Sequence, residues 1–429
     1  MKKLLLACLL GMATSLSQAG AKIEHWMAPS GAQVYFVESR VVPIVDVRID
    51  FAAGSAYAPA GKEGLAGLTR GLLDTGAGDL DEEQIADRLA DIGARLGGGA
   101  DLDRAGIALR SLSSKRELEA GLELLRWVLQ QPVFPAAVLE REKTRAIAGI
   151  KESDTQPASI AAKRFSAALY PAHPYGRSAT VESVEKITRE DLLAFYRNHY
   201  GARRAFVSII GDLSRAEAEA IAQRLTQGLP DAPAEVSLPD TALPARNTVR
   251  IDHPATQAHI HIGVPAVRRG DADYIPLLVG NYVLGGGGFV SRLMKEVREK
   301  RGYAYSVYSY FQPQKQLGPF QVGLQTKRGQ AREALKVVED VLAEFLARGP
   351  TEEELRAARR NLADGFPLRI DSNRKLLEYL SVIGFYGLPL SYLDDFPRKV
   401  EAVTVADVRT AFARHVKPEH FVTVIVAGD

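Results

Sequence analysis

A chain of 429 residues is longer than one hydrophobic core ordinarily organises, so we expect at least two domains. Its 54 Lys and Arg nearly balance its 52 Asp and Glu. Removing Lys2 and Lys3 makes the two numbers equal, which argues against nucleic acid as the main partner. Cys8 is the only cysteine. Without its N-terminal segment the chain therefore has no catalytic thiolate and no cysteine-ligated zinc.

The first 19 residues have the pattern of a secretory signal peptide. Two lysines precede an apolar run over residues 4–12, and Ser17-Gln18-Ala19 is a small-residue cleavage site. We expect cleavage near Ala19 and a periplasmic mature protein. No other segment has 18 consecutive apolar residues, so no membrane span is expected. A lipoprotein is the alternative, because Leu6-Ala7-Cys8 resembles a lipobox, although its apolar stretch is short.

Residues 64–77 have the sequence GLAGLTRGLLDTGA. This segment resembles the zinc-binding helix of the pitrilysin and mitochondrial processing peptidase family, in which G-x-A-H-x-x-E-H precedes a turn of small residues. In that family the two histidines hold zinc and the glutamate is the general base. The matching positions are Gly67, Arg70 and Gly71. The resemblance therefore implies a degenerate zinc site and no metal in this chain.

The family's third zinc ligand is a glutamate on a later helix. The matching position is Gly149, in a helix predicted over residues 136–151. All of the family's metal-binding and base positions thus lack the required side chains. Two alternatives are a misaligned glycine-rich helix and a chain that is nonetheless a zinc peptidase by itself.

Two pairs of segments recur at nearly the same spacing, which predicts a duplicated domain. Residues 187–212 and 403–429 both contain a Thr N-cap, an amphipathic helix, a basic turn, a strand and Gly-Asp. Residues 134–150 and 349–366 form the second pair. A proline-rich linker over 229–247 separates the copies, so we expect an N-terminal domain over 20–228 and a C-terminal domain over 248–429.

Strands and helices are mixed without a regular β-α-β alternation, which predicts an α+β fold. The family resemblance implies two homologous, sandwich-like mixed α/β halves that face a central cavity. The predicted strands are 33–36, 45–51, 206–210, 249–251, 259–264, 320–325 and 422–426. The predicted helices include 81–92, 116–129, 136–151, 332–347 and 352–364.

His259 and His261 are two residues apart on a predicted strand and therefore share one face. With a nearby carboxylate they could hold zinc. The alternative is that they line a cavity or a domain face without a metal.

The second half contains a run of four glycines, Gly285, Gly286, Gly287 and Gly288, followed by a helix predicted from about Ser291. We predict a loop at these glycines that contacts or gates an extended peptide. A flexible hinge or tight turn is the alternative.

In active members of the resembled family, the second half carries an arginine and a tyrosine seven residues apart that bind the substrate backbone. The matching pair is Arg298 and Tyr305. Both side chains can donate hydrogen bonds to one carbonyl oxygen. The alternative is that Arg298 pairs with Glu296 or Glu299 and that Tyr305 only packs.

The resemblance therefore implies a non-catalytic, substrate-binding subunit of a heterodimeric periplasmic zinc metallopeptidase. A zinc-bearing homologous subunit would be the partner, an extended peptide the substrate, and Arg298 and Tyr305 would complete the partner's active site. The alternative is a catalytically inactive scaffold of the same fold.

Overall fold

The computed structural model describes residues 22–232 and 237–428. The expected signal segment, including Cys8, lies outside the described residues. Within the expected linker, the described residues form no helix or strand until Asn247, where the first strand of the second half begins. No described helix combines the length and apolar character needed to cross a membrane.

The first half is built on a six-stranded sheet with the order β1-β2-β8-β3-β7-β6. Its strands are β1 (Glu24–Met27), β2 (Gln33–Glu38), β3 (Ile44–Phe51), β6 (Arg95–Ala100), β7 (Ala105–Leu112) and β8 (Phe206–Gly211), and a separate small pair is formed by β4 (Gly76–Ala77) and β5 (Leu80–Asp81). Its helices are α1 (Leu65–Gly71), α2 (Glu82–Asp91), α3 (Lys115–Gln130), α4 (Ala136–Ser153), α5 (Pro157–Leu169), α6 (Val181–Glu185), α7 (Arg189–His199) and α8 (Arg215–Thr226).

The second half is built on a five-stranded sheet with the order β11-β12-β10-β13-β9. Its strands are β9 (Asn247–Ile251), β10 (Gln257–Val267), β11 (Ala304–Phe311), β12 (Gly318–Lys327) and β13 (Val422–Val426). Its α-helices are α9 (Tyr274–Asn281), α10 (Ala331–Arg348), α11 (Glu352–Asp364), α12 (Asn373–Tyr386), α13 (Tyr392–Ala402) and α14 (Val405–His415).

The two halves repeat the same local structure. Strand β8 is parallel to β2 and antiparallel to β3, and β13 is likewise parallel to β9 and antiparallel to β10. The helices that precede β8 and β13 begin with matching capping boxes at Thr188 and Thr404. The histidines that end these helices also match, because Nδ1 of His199 bonds the carbonyl of Ala52 and Nδ1 of His415 bonds that of Ala266.

Each sheet is covered by a helix from the other half. Helix α5 of the first half packs on β10 and β13, and α12 of the second half packs on β8 and β3. Phe165 of α5 meets the His261 ring at 5.6 Å between centroids, and Phe385 of α12 meets Phe206 at 5.4 Å. Because each half contributes a helix that packs on the sheet of the other half, the two halves form one packed unit.

A buried carboxylate strengthens this junction. Asp103 of the first half has no exposed surface. It accepts hydrogen bonds from Tyr175 of its own half, from the Tyr386 hydroxyl at 2.9 Å and from the Lys315 backbone N–H at 2.8 Å. Burial raises the pKa of Asp103, and these three donors oppose that effect.

The glycine run is helical, so the predicted loop is wrong for its first part. Residues Tyr282–Gly286 form a π-helical turn that continues α9, and a second π-helical segment spans Met294–Glu299. A Cβ on Gly285 would lie 2.4 Å from Ser309 Oγ. Glycine is required here because the helix packs directly on β11, where Asn281 and Ser309 also exchange hydrogen bonds of 3.0 and 2.7 Å. Gly287 forms the turn after this segment, and Gly288, with φ of 61°, begins a 3-10 helix over Gly288–Val290.

Candidate functional site

Helix α1 carries the positions matched to the zinc ligands on its exposed face. Gly67 and Gly71 are exposed and one helical turn apart, and a Cβ on either would meet no heavy atom within 4 Å. Leu65, Ala66 and Leu68 are buried in the core of the first half. The helix thus presents two positions on one face with space for side chains that this chain lacks.

Arg70 points into the protein. Its side chain is 7% exposed, and its Nε donates to the carbonyl of Gly106 at 2.6 Å. A terminal nitrogen donates to the carbonyl of Gly97, and another lies 3.7 Å from Asp74 Oδ1. Arg70 therefore fastens α1 to β6 and β7, and a side chain held in this way cannot act as a general base.

Gly149 lies on α4 in open space. Glu142 and Arg145, seven and four residues earlier, share its face of the helix. These two residues and Gly71 line a groove of 340 Å³ that also borders α2. Gly67, Gly71 and Gly149 offer no ligand atom, and Arg70 is a cation, so the residues present do not fit a zinc ion.

Arg298 and Tyr305 are in direct contact. Nη1 of Arg298 donates to the backbone carbonyl of Tyr305 at 2.8 Å. The Arg298 Cζ lies 4.7 Å from the centroid of the Tyr305 ring and 4.9 Å from that of Phe289. The guanidinium therefore makes cation–π contacts with two aromatic rings and a hydrogen bond to the start of β11.

The acidic neighbours of Arg298 on its own helix do not pair with it. Glu296 binds Lys300 and Arg301 at 2.6 and 2.8 Å, and these interactions lower the pKa of Glu296. Among the described residues Arg298 has no carboxylate within ion-pair distance, so the alternative in which it pairs with Glu296 or Glu299 is not what the structure shows.

Exposed rings of Tyr305 and Phe289 contact Arg298, and the exposed Val290 follows Phe289 in the chain. Tyr305 is 82% exposed, Phe289 63% and Val290 58%. We call these three residues the aromatic patch. Strand β11 is irregular at this point, because its register with β12 shifts between Ala304 and Ser306. The bulge turns the Tyr305 side chain outward, and a cluster of exposed apolar groups of this kind is typical of a binding surface.

A cleft of 560 Å³ opens where the first sheet meets α12. It follows β6, the edge strand, whose described neighbour in the sheet is β7 alone. Arg374, Leu377 and Glu378 of α12 form the opposite wall. The cleft is therefore lined from both halves, although its lining does not include Arg298 or Tyr305.

Two of the arginines that line this cleft are in ion pairs and two are not. Arg48 pairs with Asp50 at 2.8 Å, and Arg110 pairs with Asp46 at 2.7 Å. Arg95 and Arg374 are exposed and have no ion-pair partner among the residues that the structure describes. Neither arginine was predicted from the sequence, because the two are far apart in the chain and belong to no motif.

His259 and His261 lie on β10, facing α5. Nδ1 of His261 meets the side-chain amide of Gln321 at 2.6 Å, and burial lowers the His261 pKa to about 4. The described residues contain one group of three possible metal-ligating side chains within mutual reach, Asp271, Asp273 and His415, and it includes neither histidine. The alternative of two histidines at a domain face agrees with this packing.

Comparison with known proteins identifies the fold of both halves. Residues 34–181 match the model of the insulinase family, peptidase family M16, and residues 186–362 match that of the peptidase M16 inactive domain. A protein from Mycobacterium tuberculosis named uncharacterized zinc protease Rv2782c is 30% identical over 308 residues, which cover 70% of this chain and 69% of that protein.

Two further similarities extend along all or nearly all of the chain. A Helicobacter pylori protein named non-peptidase homolog YmxG is 25% identical over 435 residues and covers 100% of this chain and 99% of its own length. A Pseudomonas fluorescens structure described as a peptidase M16 inactive domain superposes with a TM-score of 0.91 at 38% identity, covering 95% of this chain and 98% of that one. The duplicated α+β halves, the degenerate α1 helix and these matches together establish that the chain belongs to the peptidase M16 family.

Proposed function

We propose that this chain is the non-catalytic, substrate-binding subunit of a heterodimeric zinc metallopeptidase. A homologous partner subunit holds the zinc and the water-activating base, and this chain supplies Arg298 and Tyr305 to the composite site. The observation that carries the proposal is the asymmetry between the halves. The first half has no metal-ligating side chain at Gly67, Gly71 or Gly149, whereas the second half presents an accessible guanidinium beside an exposed tyrosine.

The arrangement around Arg298 supports a role in binding a peptide carbonyl. One guanidinium nitrogen donates to the Tyr305 carbonyl, and no carboxylate of the described part of the chain lies within ion-pair distance of the group. Its remaining N–H groups and the Tyr305 hydroxyl are donors suited to a carbonyl oxygen or a developing oxyanion. The aromatic patch offers apolar area to the partner or to the peptide.

The peptide would bind in extended form along β6. As the edge strand of the first sheet, β6 has backbone groups available for an added strand. Gly97 and Gly99 leave open space for the side chains of a neighbouring strand. Backbone pairing of this kind gives affinity with little sequence preference, which suits a subunit that presents varied peptides.

The proposal is tested by reconstitution. The chain lacking residues 1–19 is expressed alone and together with a homologous subunit that contains H-x-x-E-H, and cleavage of a fluorogenic peptide library is measured. We expect cleavage by the pair and by neither subunit alone, with strong loss in Arg298→Ala and in Tyr305→Phe. Arg301→Ala and Tyr308→Phe are matched controls on the same helix end and the same strand. Full activity of both test variants would contradict the composite site.

A catalytically inactive scaffold is the second candidate. The buried Asp103 network holds the two halves together, as do helices α5 and α12, each of which packs on the sheet of the other half. A scaffold requires such rigidity. One relative is named a non-peptidase homolog. This candidate predicts that the chain forms a complex through the aromatic patch without any effect on proteolysis. Pull-down with Phe289→Ser and Tyr305→Ser variants, scored with the cleavage assay, separates the two candidates.

Periplasmic location forms part of the proposal. It is supported by the lysine pair, the apolar run over residues 4–12 and the cleavage site near Ala19. Fractionation of cells followed by N-terminal sequencing tests it. Recovery of the uncleaved chain from the cytoplasm would contradict it.

A further inference from the structure

A separate cavity of 360 Å³ lies in the second half, apart from α1, β6 and the aromatic patch. It is enclosed by the turn over residues 268–273, the start of α9 and the segment that leads into α13. Its walls are mainly apolar and aromatic, formed by Tyr274, Ile275, Leu388, Tyr392 and Phe396. The volume and the lining are those of a site for a small molecule or a single side chain.

One charged group in this wall has no ion-pair partner in the described part of the chain. Arg269 lines the cavity, yet its Nε is buried without a hydrogen-bond partner among the described residues. Its Cζ lies 5.4 Å from the centroid of the Tyr386 ring and 5.8 Å from that of Tyr274. Aromatic faces compensate a half-buried cation only partly, and a carboxylate ligand would compensate it further.

The other charged groups at the cavity already have partners. Asp271 accepts a bond from the Asp273 backbone N–H at 2.8 Å and lies 3.8 Å from Nε2 of His415. Lys399 lies 3.6 Å from Asp395. Arg269 is therefore the group at this site whose charge remains available to a ligand.

We propose that this cavity binds a carboxylate attached to an aromatic or branched aliphatic group. The guanidinium of Arg269 receives the carboxylate in two parallel N–H···O bonds, and the apolar body lies among Tyr274, Tyr392 and Phe396. The same chemistry occurs in a free small acid and in the C-terminal residue of a peptide. The inference does not depend on the proposed subunit function, because none of these residues belongs to that site.

Isothermal titration of the chain lacking residues 1–19 tests the inference with 3-phenylpropionate and its uncharged counterpart, 3-phenylpropan-1-ol. We expect the acid to bind about tenfold or more tightly than the alcohol. Arg269→Gln should remove this preference. Arg268→Gln is the matched control, because the neighbouring Arg268 is exposed and pairs with Asp240 at 2.7 Å. Thermal melting of each variant establishes that it is folded.

Two tripeptides ending in phenylalanine, one with a free carboxylate and one amidated, distinguish the sources. Tighter binding of the free peptide acid than of phenylpropionate identifies a peptide C-terminus, and the reverse order identifies a small acid. The inference is overturned if neither acid binds at millimolar concentration. It is also overturned if acid and alcohol bind equally, or if Arg269→Gln in folded form binds the acid as the wild type does.

Discussion

The Nε of Arg70 donates to the backbone carbonyl of Gly106 at 2.6 Å. This bond joins α1 to β7 at the position that a general base occupies in active relatives of the resembled family. Arg70 cannot act as a base at this position, and it has a structural role in this chain instead.

Arg70→Ala should destabilise the first half. The substitution removes a buried cation and leaves the carbonyls of Gly97 and Gly106 without their donors, so we expect a loss of about 2–4 kcal/mol in the free energy of unfolding. Urea denaturation followed by circular dichroism measures it. Arg145→Ala is the control, since this exposed arginine pairs only at the surface with Glu142. This substitution should lower the free energy of unfolding by about 1 kcal/mol or less. Equal effects of the two variants would contradict the structural role.

Restoring four side chains should create a zinc site. In the combined variant Gly67→His, Arg70→Glu, Gly71→His and Gly149→Glu, both histidines enter open space on one face of α1. We expect about one zinc ion per chain after dialysis, measured by mass spectrometry of the metal, because three protein ligands and a water complete a catalytic type of zinc site. The variant that keeps Gly149 should retain less zinc. A folded combined variant without zinc would show that the positions are misaligned.

The β6 cleft should prefer acidic peptides. Because Arg95 and Arg374 have no partner among the described residues, a peptide with carboxylates should bind more tightly than its amide counterpart, and the difference should decrease with salt. Replacing both arginines by alanine should weaken the binding of the acidic peptide about tenfold. Fluorescence anisotropy measures this, with Arg332→Ala on the exposed surface of α10 as the control. Unchanged binding in the double variant would contradict the role of the cleft.

Asp103→Ala should uncouple the two halves. It leaves the Tyr175 and Tyr386 hydroxyls and the Lys315 N–H without their acceptor. We therefore expect the free energy of unfolding to fall by about 3–5 kcal/mol. Scanning calorimetry should then show two transitions where the wild type shows one. Tyr386→Phe removes a single donor and should cost about 1 kcal/mol. A single transition at the wild-type temperature in Asp103→Ala would contradict the coupling.

His261 should make the fold sensitive to acid. Burial beneath α5 lowers its pKa from 6.5 to about 4. Between these values the unfolded chain binds a proton that the folded chain does not, so the free energy of unfolding decreases as pH falls from 6.5 to 4. His261→Gln should reduce this decrease by about 2–3 kcal/mol. Urea denaturation across the pH range measures it, with His25→Gln, an exposed position, as the control.

Much of the fold was predictable because it rests on local patterns. Helices were predicted over 136–151, 332–347 and 352–364, and the bounds of α4, α10 and α11 agree with these within two residues. The repeated segments predicted the duplication. The glycine run was predicted as a loop because glycine usually marks one, whereas tight packing of Gly285 on Ser309 determines its helical conformation.

The sequence by itself indicated two related halves and showed that Gly67, Arg70, Gly71 and Gly149 carry no metal-ligating side chain. The family resemblance singled out Arg298 and Tyr305 as a pair for a shared role. These conclusions depend on residue type, on repeated segments and on a match to a family motif. Only the tertiary structure decided that α5 and α12 each pack on the sheet of the other half and that Arg70 binds strand carbonyls. It also decided that Arg95 and Arg269 have no ion-pair partner among the described residues. Such features depend on which distant segments meet, and that is set by how the apolar faces of both halves pack together, not by any local pattern.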